Sequence, residues 1–222
     1  MEKIVLKQQD KGFGHIGGGA YLTDLKLWPS NPKTGELLTP LVTTTDRFYA
    51  GYQCVPPGMA LTVFIAAQQY QSGGFNAALQ RRYTVHQQSE LQEQIENGFA
   101  RVILHDLAPE PIVPSNPPLL LTQAFIDFEE MNEDEFDVEI GGEFGGIEMS
   151  KSSGTPSWLQ DPVYELSPRY MFHLQLLDAD IAEINPDHEG IFADGIGYVF
   201  IDHRARRGKE GDEAGYFYVQ YT

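Results

Sequence analysis

The chain has 222 residues and carries 32 acidic against 15 basic side chains, a formal net charge of −17. Apolar residues make up 41% of it, enough for a substantial core and too many for a disordered chain. The charge argues against nucleic acid as a partner, since phosphate binding needs clustered Lys and Arg, and against an anionic membrane surface.

At the N-terminus, Glu2, Lys3 and Lys7 flank a short apolar run, Ile4-Val5-Leu6. That is too short for a secretory signal, and no stretch approaches the ~18 apolar residues of a membrane span. Cys54 is the only cysteine, so no internal disulfide forms, and it reads as a packing or incidental surface residue rather than a nucleophile. A soluble, cytoplasmic protein is expected. Downstream, 22 Gly and 14 Pro punctuate short runs rich in Val, Ile, Phe, Tyr and Thr, the pattern of a β-rich chain. Strands are predicted at Ile4–Lys7, Leu38–Thr44, Ala60–Ala67, Arg101–Leu107, Ala124–Glu129, Arg169–Leu177, Gly197–His203 and Gly215–Tyr221. Tyr170, Phe172, Leu174 and Leu176 recur at period two, and Met171 and Leu177 make the other face apolar, so this strand is expected to be buried on both faces. A helix is predicted from Ser89 to Asn97, with Ser89 and Gln92 as capping box and Gly98 at its end, and a weaker one over Asn76–Arg82. Pro109, Pro111, Pro114, Pro117 and Pro118 read as an extended connection between two halves. The expected organisation is a first β-rich half at 1–108, a Pro-rich and acidic segment at 109–150, and a second β-rich half at 151–222.

The two halves share an order of features: glycine turn, Trp with a nearby Pro, loop, strand, Asp-containing loop, glycine turn, strand. In the first half these are Gly17-Gly18, Trp28-Pro29, Gly35, Leu38–Thr44, Asp46, Gly58 and Phe64. In the second they are Gly154, Pro156, Trp158, Gln160, Phe172, Gln175, Asp178, Asp194-Gly195, Gly197 and Phe200. In this order, and most specifically in Ser153–Gln160 with its Gly-x-Pro-x-Trp-x-Gln stretch, the chain resembles the YwqG-like family of mostly bacterial proteins of unknown function. It departs at Thr43, where a Gln like Gln175 would complete the first repeat, and in its acidic middle. The resemblance implies an internally duplicated, β-rich α+β fold without established catalytic residues. Domains of this kind occur among bacterial toxin-immunity proteins, which makes such a role an expectation by analogy. Trp28, Trp158, Gln160 and Gln175 are read as scaffold, or alternatively as the lining of a ligand groove between the halves.

From Val102 to Ser150 there are 12 acids and no base. The densest part is Asp127, Glu129, Glu130, Glu133, Asp134, Glu135, Asp137 and Glu139. Phe125, Ile126, Phe128, Met131, Phe136 and Ile140 interleave with them, which a purely solvating tail would lack. Apolar anchors in an acidic rim suit a docking surface for a basic protein, and Asp127, Glu129, Glu130, Glu133, Asp134, Glu135, Phe136 and Asp137 are the candidate partner-binding residues. A calcium loop fails at Phe136 when counted from Asn132, and at Ile196 when counted from Asn185. The six His are scattered and lack the spacing of a metal site, and His173 reads as a hydrogen-bonded core residue. No nucleophile elbow, Walker loop or dinucleotide fingerprint is present. No catalytic, metal-binding or cofactor-binding residues are therefore assigned. Arg204, Arg206, Arg207 and Lys209 read as a hairpin tip that could pair with the acidic stretch.

These readings converge on an α+β fold, mainly antiparallel β with few short helices, its two similar β-rich halves in one globule. The expected function is a non-enzymatic acidic interaction protein, most concretely an immunity protein that neutralises a toxin with a basic surface. The alternative is a small-ligand or divalent-metal-binding module.

Overall fold

Runs of Val, Ile, Thr, Phe and Tyr too short for helices pair side by side in the computed structural model, which describes residues 1–49, 51–142, 145–164 and 168–222. Among the described residues the strands are β1 (Glu2–Lys7), β2 (Gly14–Ile16), β3 (Thr39–Thr45), β4 (Met59–Ile65), β5 (Ala100–Asp106), β6 (Ala124–Glu129), β7 (Lys151–Ser152), β8 (Tyr170–Leu177), β9 (Ile196–Asp202) and β10 (Glu213–Gln220). All eight predicted strands are present, with ends displaced by at most two residues. β2 and β7 were not anticipated, because three and two residues carry no periodicity.

The strands form a closed, wholly antiparallel barrel in the order β1-β6-β2-β3-β4-β5-β10-β9-β8-β7, with β7 closing on β1. Closure removes the exposed sheet edges that invite aggregation. Bulges interrupt the ladders between Pro40 and Val42 on β3 and between Phe172 and Leu174 on β8. The first core cluster includes Leu61, Val63, Ile65, Val102, Leu104, Leu174, Leu176, Val199, Ile201, Phe217 and Val219, on alternating inward positions. Two further clusters cover the barrel from outside. One gathers Trp28, Leu38, Phe64, Phe99 and Ile103. The other gathers Val85, Leu91, Val163, Tyr198, Phe200, Tyr216 and Tyr218. β4 and β9 are buried at every residue because each is pressed between interior and cover.

The bulge corrects the reading of β8. Before it, Met171 packs on the barrel core and Phe172 on the outer cluster; beyond it, Leu174 and Leu176 point inward. The extra residue, His173, flips the alternation. The four period-two residues therefore do not share one face, although both faces are apolar.

The helices are α1 (Ala77–Gln80), α2 (Leu91–Asn97), α3 (Glu133–Gly141) and α4 (Asp178–Ile184). α2 ends on Gly98 at φ 67° as expected. Its start differs: a 3-10 turn over Gln88–Glu90 precedes it, and the Glu90 carboxylate, rather than Ser89, accepts from the backbone N–H groups of His86 (2.8 Å) and Gln87 (3.4 Å). α4 occupies what read as an Asp-containing loop. Its buried Asp178 accepts from the N–H groups of Gly190 (2.7 Å) and Phe192 (2.6 Å). The Pro-rich connection has neither helix nor strand, and it lies against the body of the protein rather than standing free. Ile112 N–H donates to Ala20 (2.8 Å) and Leu121 is buried in the barrel core.

Candidate functional site

The acidic segment folds into β6 followed by α3. Asn132 caps the helix: its Oδ1 accepts from Glu135 N–H (2.9 Å), while Glu135 Oε2 accepts from Asn132 N–H (2.9 Å). Glu133, Asp134 and Glu135 lie in the first turn, where the helix dipole favours negative charge. This capping box uses Asn132, the residue from which a calcium loop would start.

Three of the candidate acids pair with lysines of the N-terminal segment. Lys11 meets Asp127 (2.7 Å), Lys7 meets Glu129 (3.2 Å) and Lys3 meets Glu135 (2.9 Å). The Lys11 ammonium holds the Asp127 carboxyl below its usual range. The Asn132 N–H, together with Lys3, lowers that of Glu135. Glu130, Glu133, Asp134 and Asp137 are exposed and make no ion pair with described residues. The arginines of the β9–β10 tip do not reach this segment. The lysines that pair with it are Lys3, Lys7, Lys11 and Lys151, which corrects the expected pairing.

Glu139 is the residue the sequence did not single out. Its side chain is 2% exposed and bonds to Lys151 Nζ, itself 0% exposed. Glu139 also accepts from the N–H groups of Ile147 (2.8 Å) and Thr155 (2.8 Å), and the ammonium donates to the Thr155 carbonyl (2.6 Å). A Cβ on Gly146 would collide with Glu139, Lys151 and Thr155 together, so the close approach of backbone to this pair requires glycine. Glu135 and Glu139, one helical turn apart, thus fasten α3 to the barrel through its polar side. Phe136, Val138 and Ile140 are left 47%, 55% and 64% exposed. The helix carries carboxylates beneath and leaves its apolar side chains among free acids outside, with Phe136 and Ile140 on one flank and Val138 about half a turn away on the other. The signal in the sequence was Lys151 itself, the first base after 49 residues without one.

The groove residues separate. Trp28 donates from Nε1 to the Leu38 carbonyl (2.7 Å) and packs on Phe64 in the first outer cluster. Trp158 packs on Tyr198 and Phe200 in the second. Gln175, fully buried, accepts from Ser157 N–H (2.9 Å) and donates to the Met149 carbonyl (2.8 Å). Gln160 donates to the Tyr221 carbonyl (3.0 Å). The two tryptophans therefore do not line one groove between halves; each fills its own cover. His173 is a core residue, with Nε2 3.0 Å from the Thr44 hydroxyl, and burial lowers its pKa to about 3. Burial pushes the Cys54 thiol up to about 12, which leaves it unreactive. Among the described residues no three His, Cys, Asp or Glu side chains converge as metal ligands, and no helix is long and apolar enough to cross a membrane. No family model and no curated protein sequence matches the chain.

Proposed function

We propose that the protein is a non-enzymatic interaction protein of the cytoplasm that uses α3 and the end of β6 to dock a basic protein partner. The observation that supports this most is the exposure of apolar side chains on α3. The fold sets a buried ion pair beneath the helix and turns Phe136, Val138 and Ile140 outward among Glu133, Asp134 and Asp137. Apolar anchors would supply the desolvated centre, and the free carboxylates would steer a positively charged partner and exclude negative ones. The most concrete form is an immunity protein that blocks a toxin with a basic surface, a reading drawn from the likeness to the YwqG-like family. Neither nucleic acid nor a membrane is the partner in this reading.

The free and paired acids have different parts. Glu130→Gln, Glu133→Gln, Asp134→Asn and Asp137→Asn together should slow association with a basic partner and flatten its salt dependence. Replacing Asp127, Glu129 and Glu135 would chiefly release Lys11, Lys7 and Lys3. The test is a binding assay at low and moderate salt against purified basic proteins encoded by adjacent genes. Failure of every one to bind, or binding unaltered by the fourfold substitution, refutes the reading.

We also infer that the chain is two copies of a five-strand unit, β1–β5 and β6–β10. Exchanging the two sets leaves the strand order unchanged. The bulges on β3 and β8 fall at matching places, while a third register shift, between Glu213 and Gly215 on β10, has no counterpart on β5; Thr43, paired with His15, matches Gln175, paired with Lys151.

A further inference from the structure

The basic cluster of the β9–β10 tip is left unused by the chain that carries it. A 3-10 turn over His203–Arg207 is pinned by the buried Ala205, and Asp202 Oδ1 accepts from Arg204 N–H (2.9 Å). Such a helix repeats every three residues, so Arg204 and Arg207 stand on the same side of it. Both are exposed, as are Arg206 and Lys209, and none of the four forms an ion pair with a described residue. The acids of the tip are taken by neutral donors, Glu210 by the Thr23 hydroxyl and Asp212 by the Lys209 N–H (2.8 Å).

α3 holds the opposite charge in the same condition. Asp137 lies one helical turn from Glu133 and Asp134, and these three acids, like Glu130, lack an ion-pair partner among the described residues. Like charges at such spacings repel, in α3 as in the arginine turn, until an opposite charge is brought up to them.

The topology starts both patches from one end of the barrel. β1, β7 and β8 separate β6 from β9 in the antiparallel order, so β6 and β9 run in the same direction, and α3 and the tip follow them. By the same alternation Met1, Tyr52 and Leu107 lie at this end, before β1 and after β3 and β5, and all three are exposed. One end therefore carries a free acidic patch and a free basic patch that do not meet within the chain, with apolar side chains beside them.

We propose that a second copy of the chain occupies this end. Two barrels meet about a two-fold axis, and α3 of each copy faces the arginine turn of the other. The two-fold axis makes both contacts at once, which doubles the gain from one complementary pair of patches. The net charge of −17 opposes association, but at about 100 mM salt it is screened beyond roughly 10 Å, whereas groups brought into contact keep their attraction. The inference rests on the reading of α3 as a docking surface and adds a competitor for it: a basic partner has to displace the second copy.

The test is sedimentation equilibrium of the full chain alone at about 100 mM salt. A dimer is expected, its dissociation constant rising about tenfold or more when the salt is raised to about 500 mM. Arg204→Glu with Arg207→Glu should weaken the dimer about tenfold or more. Glu130→Lys with Asp137→Lys should do the same, both lying outside the first turn of α3, where acids serve the helix dipole. The two variants mixed in equal amounts should associate more tightly than either alone, because each offers the charge that the other lacks. A native chain that stays monomeric up to about 100 μM overturns the proposal. So does a dimer of unchanged affinity in both variants, or a mixture no tighter than its components when circular dichroism shows both folded. No partner is present in these measurements, so a monomer would overturn the dimer and leave the docking of a basic protein to its own assay.

Discussion

Glu139→Gln should be among the most destabilising polar substitutions in the molecule. It removes the negative charge beside the Lys151 ammonium, 0% exposed, leaving only neutral carbonyl oxygens to accept from it, and it turns one carboxylate oxygen into an NH2 that faces a backbone N–H donor. Breaking a buried pair by removing one partner costs about 3–5 kcal/mol, because the remaining charge is stranded away from water. For a chain of this length that corresponds to a fall in Tm of roughly 6–20 °C. Lys151→Met should cost less, about 3 kcal/mol, since Glu139 keeps the N–H groups of Ile147 and Thr155 at 2.8 Å. The double variant Glu139→Leu/Lys151→Met removes both charges and strands only backbone groups, so its cost of about 2–3 kcal/mol should fall well short of the sum of the singles. Urea denaturation of the four proteins at one pH measures the cycle. Because the pair is buried, its contribution should persist at high salt, unlike that of the half-exposed Lys7–Glu129 pair. Single variants that each cost under about 1 kcal/mol, or a double variant as costly as the sum, would refute the reasoning.

Acid should weaken the fold. Burial lowers His15 from 6.5 to about 4 and His173 to about 3, so between those values and 6.5 the unfolded chain binds more protons than the folded one. Stability is then full above about pH 7 and falls with pH, by about 2 kcal/mol for each of the two at pH 5. Urea midpoints at pH 7 and 5 should separate, and His15→Gln and His173→Gln should each narrow the gap; equal midpoints in the native protein would contradict this. Asp178→Ala and Asp46→Ala remove corresponding carboxylates with unequal consequences. Asp178 is buried and serves two backbone N–H groups, so its loss should cost about 2–4 kcal/mol. Asp46 serves only the exposed Gly58 N–H, and its loss should cost about 0.5–1 kcal/mol by thermal melting; equal losses would overturn the account.

The long strands were legible because they are runs rich in β-branched and aromatic residues, several of them with Gly or Pro close by (Gly35 before β3, Gly58 before β4, Gly98 before β5, Pro168 before β8), a signal that needs no knowledge of partners. β2 and β7 were not, because Gly14–Ile16 and Lys151–Ser152 are strands only by virtue of the neighbours they bridge. α4 was hidden for a similar reason. Asp178 reads as a loop residue until Gly190 and Phe192, twelve and fourteen positions on, supply the donors that bury it. In the acidic segment the sequence showed how much charge there is but not how it is divided. Whether an acid is free depends on Lys3, Lys7 and Lys11, more than a hundred residues away along the chain. The Glu139–Lys151 pair lies closer in sequence, but only the barrel makes it dry.

On the proposed duplication, the surface at α3 sits where the two five-strand units differ in chemistry. Matching positions through the pairing registers sets His15 against Lys151, Thr43 against Gln175, Thr62 against Tyr198 and His105 against Gln220. In the first unit these residues satisfy one another: Thr43 meets Thr62, and Thr62 meets His105, each at 2.8 Å. In the second unit they turn outward to hold loops. Gln175 and Tyr198 bond the backbone at Ser157, Gln220 bonds that of Gln160 and Asp161, and Lys151 holds Glu139. Longer side chains at the same ladder positions thus convert a self-contained polar patch into anchors for an added layer. α3 is part of that layer, fastened by the longest of the substitutions. An element held by polar side chains rather than by apolar packing leaves Phe136, Val138 and Ile140 exposed, and on the proposed duplication this difference accounts for why α3 follows β6.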